Sequence, residues 1–210
     1  MKMKMYGVAI VLVCICGRGS VKAQEPAVHP LLEAAVARLD TVSSAGGLKE
    51  VRKEFERLYA AEAAGWLPVY YLAYTDISLL FFPARDAEKE QYRNEAETCL
   101  DQLAKMKLPD AVRSEVAALK GYGYYAQVAL DPAANGPKYA GIILSCFAEA
   151  LRLNPANPRA ILLNALFRKH MAAFLHQEYG AYAAEVQRAD SLFDAESRSA
   201  LVPRWGKGKK

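Results

Sequence analysis

The chain reads Phe-Ala-Glu-Ala-Leu-Arg-Leu-Asn-Pro-Ala-Asn-Pro over residues 147–158. Its first apolar residues are spaced by three and four, which is typical of one face of an α-helix. Pro155 ends this helix because proline cannot donate the backbone hydrogen bond that would continue it. After Ala156 and Asn157, Pro158 can take the first position of a new helix. The segment therefore predicts two helices joined by a short turn.

The same apolar spacing recurs on both sides of this segment, and short turns with Pro, Gly or Asp interrupt it. The sequence contains no strand-like alternation of any length. Short connections between consecutive helices favour antiparallel hairpins. We therefore predict an all-α fold of about eight antiparallel helices, over residues 30–42, 48–64, 67–82, 87–106, 110–129, 137–153, 158–175 and 180–193.

The predicted hairpins recur at a regular interval, because the breaks before the third, fifth and seventh helices fall near residues 66, 110 and 157. An interval of about 44 to 47 residues indicates a helical array in which each hairpin packs on the next one. The sequence thus predicts one continuous repeat domain.

Four residues of the opening segment, Phe147, Ala150, Leu151 and Pro155, resemble the second half of a tetratricopeptide repeat. In that repeat the aromatic ring fills the space between hairpins, the alanine permits close helix approach and the proline ends the helix. The sequence departs from the repeat at Ile143, where a small residue is usual. The hairpin interval is also longer than the standard 34 residues.

Further short motifs follow in order along most of the chain: Trp66-Leu67-Pro68-Val69-Tyr70-Tyr71, Ser114-Glu115, Leu119-Lys120-Gly121, Asp131-Pro132, Gly136-Pro137-Lys138-Tyr139, Leu153-Asn154-Pro155-Ala156-Asn157-Pro158-Arg159-Ala160 and Pro203-Arg204-Trp205-Gly206. Together they are similar to a family of short, exported tetratricopeptide-like proteins from Gram-negative bacteria. The resemblance implies helical hairpins in a right-handed superhelical array. It brings no catalytic residues to this chain.

Residues 1–23 have the order of a secretory signal peptide: a basic start, an apolar run over residues 5–16 and small residues before the cleavage position. The apolar run is too short to cross a bilayer as a helix, which needs about 20 residues. We expect cleavage after Ala23 and an exported protein of the periplasm or cell envelope, with no membrane span after cleavage. The alternatives are a retained anchor helix or a lipid on Cys14 or Cys16.

Residues 24–197 then form the tetratricopeptide-like domain, and residues 198–210 form an irregular basic tail. The chain has 27 basic and 23 acidic residues, a formal net charge of +4. Four basic residues lie in the first 23 positions, so 23 basic residues face 23 acidic ones in the remainder. Because nucleic-acid binding needs a basic stripe, we expect no nucleic-acid partner.

The sequence carries no recognisable catalytic or metal-binding motif. His170 and His176 are six residues apart and do not share a helix face, as paired metal ligands would. Gly121-Tyr122-Gly123 lies in a helical pattern, without the strand and third glycine of a nucleotide-binding loop. No serine has nucleophile-elbow spacing. We expect no catalytic residue, metal or cofactor, with a hydrolase as the less favoured alternative.

Signal cleavage would leave two cysteines, Cys99 and Cys146. Exported proteins can pair such residues in a disulfide. Both cysteines lie within apolar helical patterns, which favours two buried thiols. The sequence leaves the pairing open.

Tyrosine is abundant, with 12 residues in the chain. A tyrosine buries its ring and keeps its hydroxyl bonded or wet, which suits both helix interfaces and binding grooves. In tetratricopeptide repeats the first helix of each hairpin lines the inner face. Placing Ala73 and Ala165 at the small positions of that repeat turns several side chains towards the inner groove. The candidate partner-binding residues are Tyr70, Tyr74, Tyr122, Arg159, Lys169 and His170, with Leu166 beside them.

Aromatic anchors with a basic end suit an extended peptide that carries some negative charge. We therefore predict a non-enzymatic scaffold that binds a protein or peptide. One alternative is an envelope protein that binds a small molecule or glycan through the groove tyrosines. In another, the tyrosines of the third helix are buried and line no groove.

Overall fold

The structure, a computed structural model, describes residues 30–61, 65–196 and 202–208. These residues form eight α-helices and no strand, so the predicted all-helical fold is confirmed. The predicted signal peptide, residues 1–23, lies outside the described residues. The helices are α1 (Pro30–Leu39), α2 (Ala45–Ala60), α3 (Trp66–Leu79), α4 (Asp86–Lys105), α5 (Asp110–Leu130), α6 (Pro132–Leu153), α7 (Pro158–Phe174) and α8 (Tyr182–Ala195).

Side-chain caps fix the start of three helices. Ser44, Asp131 and Asn157 precede α2, α6 and α7, and each side-chain oxygen accepts a hydrogen bond from a backbone N–H three residues later, at 3.0–3.1 Å. Such a cap satisfies an N–H group that has no partner inside the helix. Pro132 and Pro158 occupy the first positions of α6 and α7, where the missing N–H costs nothing.

The helices pack as successive hairpins. Each helix contacts the next one along the chain, with the α5–α6 contact the most extensive. In addition α3 packs on α5 and α5 packs on α7, so the first helices of the last three hairpins lie side by side. This face of α3, α5 and α7 is hereafter the inner face.

The central helix of the fold is α3, in which every residue except Trp66 is buried. Its apolar residues pack against α2, α4 and α5. Asp76 is fully buried within it and accepts hydrogen bonds from the Arg52 guanidinium of α2. Ala73, predicted at a close-packed position, is fully buried.

The residues assigned to the tetratricopeptide-like repeat lie mostly in the interior. Phe147 and Ala150 are fully buried, Leu151 is half-buried, and Pro155 lies exposed in the turn before α7. The Phe147 ring lies against Gly121 of α5, where an added Cβ would come within 2.6 Å of the ring. Phe147 thus packs within its own hairpin, where the absence of a side chain on α5 makes room for it.

Candidate functional site

An apolar pocket of about 620 Å³ lies among α5, α6 and α7. Small-molecule sites in proteins commonly have volumes of about 300–1,000 Å³. Of the described residues that line the pocket, none is Asp, Glu, Lys or Arg. The lining residues are Phe81, Tyr122, Tyr125, Val128, Ala129, Pro132, Gly136, Pro137, Ala140, Leu163, Leu166, Phe167, His170, Met171, Phe174 and Leu175.

Short side chains on α6 leave room for this pocket. Gly136, Pro137 and Ala140 line it, and a Cβ at Gly136 would meet no heavy atom within 4 Å. Pro137 lies inside α6, where its ring removes one helical hydrogen bond. The first half of α6 therefore forms a pocket wall of small and cyclic side chains.

Large apolar side chains at the pocket remain open to solvent. Phe81, Phe174 and Leu175 are 46%, 61% and 55% exposed, and all three line the cavity. Contiguous exposed apolar surface of this kind commonly marks a ligand or partner site. We call these three residues the apolar rim.

Tyr125 of α5 and His170 of α7 form the polar pair of the pocket. The Tyr125 hydroxyl shares a hydrogen bond with His170 Nδ1, and the Tyr125 and Phe167 rings form a T-shaped pair with centroids 5.4 Å apart. Burial raises the pKa of Tyr125 to about 12. Partial burial, and then the charge of Lys169, lower the pKa of His170. Near neutral pH the phenol is protonated and the imidazole neutral, so neither ring of the pair carries a formal charge.

The inner face next to this pocket is covered by residues 202–208, hereafter the C-terminal segment. The Trp205 ring stacks on Tyr74 with centroids 4.6 Å apart and on Tyr122 at 5.5 Å. Its indole N–H donates to the Tyr70 hydroxyl over 3.0 Å. Trp205 is 6% exposed, so the middle of this irregular segment belongs to the core of the fold.

A buried arginine ties the C-terminal segment to α7. The Arg159 guanidinium donates to the Pro203 carbonyl and pairs with Glu196 at 2.8 Å and with Glu115 at 3.3 Å. Burial alone would lower the pKa of Arg159, but the two carboxylates outweigh it and raise that pKa. Burial raises the pKa of Glu115, and Arg159 opposes that shift. The Arg159 guanidinium is therefore charged, and its contacts with Pro203, Glu196 and Glu115 fix its position.

The fold is similar to that of a haemophore. The solved structure of the HusA haemophore from Porphyromonas gingivalis matches with a TM-score of 0.74 and 26% sequence identity. The match covers 88% of this chain and 89% of that chain. No protein-family model matches the chain, and no curated protein matches it. The likeness extends over nearly the whole helical array.

Four of the six predicted partner-binding residues lie in the interior. Tyr70 and Arg159 are at most 1% exposed, Tyr122 is 6% exposed and Tyr74 is 8% exposed. In the structure the C-terminal segment covers the inner face at these residues, so they line no open groove there, and their role in partner binding stays a prediction. The apolar surface of Trp205 is removed from water there, and Tyr70 supplies the acceptor that its indole N–H needs.

The remaining two predicted residues lie on the surface of α7. Tyr122 and His170 line the pocket, as does Leu166. Lys169 is exposed, and its ammonium lies 4.0 Å from the centroid of the Tyr182 ring. The structure thus brings Tyr122 and His170 to one cavity and leaves Lys169 outside its lining, and the role of all three in binding stays a prediction.

Sequence analysis missed several pocket residues, including Tyr125, Met171 and Phe174. The available signal was a second apolar stripe on α7, since Leu163, Phe167, Met171 and Phe174 recur at spacings of three and four. A helix that carries more apolar surface than one neighbour can cover has a further face to bury or to offer to a ligand.

Outside the pocket, the described residues offer few groups suited to metal binding or nucleophilic catalysis. Within the described ranges, no three His, Cys, Asp or Glu side chains lie close enough to hold a metal ion. No helix in the same ranges is both long and apolar enough to span a membrane. Cys99 and Cys146 are free thiols, and burial raises the pKa of Cys99 to about 12. A thiol with so high a pKa is a poor nucleophile.

Proposed function

We propose that this protein is a non-enzymatic binding protein that holds a haem-like porphyrin in the pocket among α5, α6 and α7. The observation that carries the proposal is the cavity itself, about 620 Å³ in volume and lined almost entirely by apolar and aromatic side chains. The structural likeness to a haemophore supports the choice of ligand class. The proposal develops the small-molecule alternative raised by the sequence.

The chemistry of the pocket suits a porphyrin. A porphyrin is a broad, flat, conjugated ring with two apolar faces and carboxylates along one edge. Tyr125, with Phe81 and Phe174 of the apolar rim, offers aromatic contacts for the faces. Since none of the described lining residues is a cation, the carboxylates would stay in water, beyond the apolar rim.

A peptide-binding scaffold is less favoured by the geometry. The inner face predicted to hold a peptide is already covered by the chain, with Trp205 at its centre. A peptide would have to displace a buried indole and the Arg159 contacts. An enzyme is also less favoured, because the described residues that line the pocket include the Tyr125–His170 pair but no carboxylate and no thiol.

The proposal includes two further predictions from the sequence, export of the protein and a tetratricopeptide-like arrangement of its hairpins. The order of residues 1–23 supports export to the periplasm or cell envelope. The packing of α3 on α5 and of α5 on α7, with Ala150 buried beside Ala118 and Ala160, supports a tetratricopeptide-like arrangement of hairpins.

The experiment is a titration of the full chain with haemin and with metal-free protoporphyrin IX, followed by visible absorption and tryptophan fluorescence. We expect saturable binding of both. Gly136→Trp should weaken binding by about tenfold or more, because the new indole enters the cavity from its open wall.

Gly141→Trp is the matched control. Gly141 also lies in α6, and a Cβ there also meets nothing within 4 Å, but it does not line the pocket. Its affinity should stay within about twofold of wild type. Equal weakening by both variants, or no saturable binding of either porphyrin by the wild type, would contradict the proposal.

A further inference from the structure

The Tyr125–His170 pair fixes one histidine at the edge of an apolar cavity. The two rings come from α5 and α7, with centroids 6.0 Å apart and planes inclined by 51°. The phenol oxygen bonds to Nδ1 of the imidazole. Both residues line the pocket, and His170 keeps part of its ring exposed.

This hydrogen bond leaves the second ring nitrogen of His170 available. Among the described residues, nothing forms a hydrogen bond with Nε2 of His170. Histidines that bind metals are commonly oriented in this way, with one nitrogen on the metal and the other bonded to a neighbouring polar group. Histidine is also a common axial ligand of haem iron.

We propose that His170 coordinates the iron of a porphyrin bound in the pocket through Nε2, and that Tyr125 is the positioning residue that holds the imidazole. This inference rests on the proposed function. In this arrangement His170 Nδ1 carries the proton and donates it to the Tyr125 oxygen, so that the lone pair of Nε2 is free for the metal.

Two other pocket side chains could bind iron, but the geometry favours them less. A phenol must lose its proton to become a strong ligand, and the Tyr125 oxygen is already bonded to His170. Met171 is half-buried and packs against the main hydrophobic core. A neutral imidazole needs to lose no proton before it coordinates.

The test compares haemin with metal-free protoporphyrin IX in wild type and His170→Ala. Protoporphyrin IX has the same ring but no iron, so its affinity should stay within about twofold of wild type. Haemin affinity should fall by about tenfold or more. The absorption and electron paramagnetic resonance spectra of the ferric complex should change, and added imidazole should restore them.

The chain offers matched controls. His176→Asn changes the other described histidine, which does not line the pocket, to a residue that tolerates its φ of 55°. This variant should keep the wild-type spectrum. Tyr125→Phe should retain an imidazole-bound spectrum, with haemin affinity reduced by up to about tenfold through the lost orientation of His170.

Three results would overturn the assignment of His170. An unchanged ferric spectrum in His170→Ala would mean that the iron has another ligand or none from the protein. Loss of the spectrum in Tyr125→Phe or Met171→Leu, with His170→Ala unaffected, would assign the ligand to Tyr125 or Met171. Both results leave the pocket proposal intact if protoporphyrin IX binds, whereas a wild type that binds neither porphyrin removes both proposals.

Discussion

The indole N–H of Trp205 donates to the hydroxyl of Tyr70 over 3.0 Å, and the two residues are 135 positions apart in the chain. The contact is buried, and the Tyr70 hydroxyl also lies 3.4 Å from a carboxylate oxygen of Glu115. This hydrogen bond joins the non-helical C-terminal segment to α3, the most buried helix of the fold. The stability of the helical array consequently depends on residues that follow its last helix.

Trp205→Ala should lower the free energy of unfolding by about 3–5 kcal/mol, the usual cost of removing a large buried aromatic side chain. The indole loses its stacking on Tyr74 and leaves the Tyr70 hydroxyl without its donor. Chemical denaturation measures the change. Lys207→Ala, which removes only an exposed ion pair with Asp194, should stay within about 1 kcal/mol of wild type. Similar midpoints for the two variants would show that the C-terminal segment does not stabilise the fold.

Phe147→Ala should also cost about 3–5 kcal/mol, because the ring is fully buried in the core. Thermal or denaturant unfolding is the measurement. Phe174→Ala offers a contrast, since that ring is 61% exposed at the apolar rim and should contribute far less to stability. If the Phe147→Ala midpoint equals that of wild type, the assigned packing of the α5–α6 hairpin is incorrect.

Gly121→Ala and Gly141→Ala should have opposite effects on stability. Both glycines lie inside helices, where alanine is intrinsically better by up to about 1 kcal/mol. A Cβ at Gly121 would approach the Phe147 ring to 2.6 Å, so overpacking should produce a net loss of about 1–2 kcal/mol. A Cβ at Gly141 meets nothing within 4 Å, so that variant should gain up to about 1 kcal/mol. Equal shifts of the unfolding midpoint would refute the close approach of α5 and α6.

Asp76 should make stability depend on pH. Burial raises its pKa from 3.8 to about 7, against the opposing effect of Arg52. The folded state then binds more protons than the unfolded chain between about pH 4 and pH 7, so the free energy of unfolding falls as the pH rises through this window. The contribution of Asp76 amounts to at most about 4 kcal/mol.

Asp76→Asn removes this titration and should flatten the pH dependence of the unfolding midpoint. Burial also raises the pKa of Glu115, so this residue should contribute equally to the pH dependence of stability in wild type and in the variant. An identical slope for wild type and variant between pH 4 and pH 7 would mean that Asp76 is already ionised throughout the range.

Protein purified from native cells should begin near Gln24, because the predicted signal peptide is removed on export. Intact-mass measurement reads this directly. A mass that includes residues 1–23 would contradict cleavage, and an added acyl mass would indicate lipid attachment instead.

The helices could be predicted from local signals, because proline, glycine and capping residues act on neighbouring backbone groups. The predicted starts of α5 and α7, at Asp110 and Pro158, agree with the structure. For α6 the sequence pattern predicts a start at Pro137, which is five residues too late. Asp131 caps the helix and Pro132 takes its first position. The helix therefore starts before Pro137, which lies inside it.

The surfaces could not be predicted in the same way, because they depend on contacts between distant residues. The spacing of Tyr70 and Tyr74 indicated their face of α3 but not what covers it. Trp205 lies in a stretch without apolar periodicity, so no local sequence pattern predicts that its ring packs on the inner face. The pocket depends on the small side chains of Gly136 and Ala140, whose importance is visible only once α6 is placed beside α7.

The docking of the C-terminal segment also bears on the order of folding. Contacts within hairpins join residues close in the chain and form quickly, whereas contacts across long separations form later. The hairpins should therefore assemble first, with the tyrosine-lined inner face still hydrated, and Trp205 should close that face in a slower final step. During that interval the aromatic inner face would remain exposed to solvent, and it becomes buried once Trp205 has docked on Tyr74 and Tyr122.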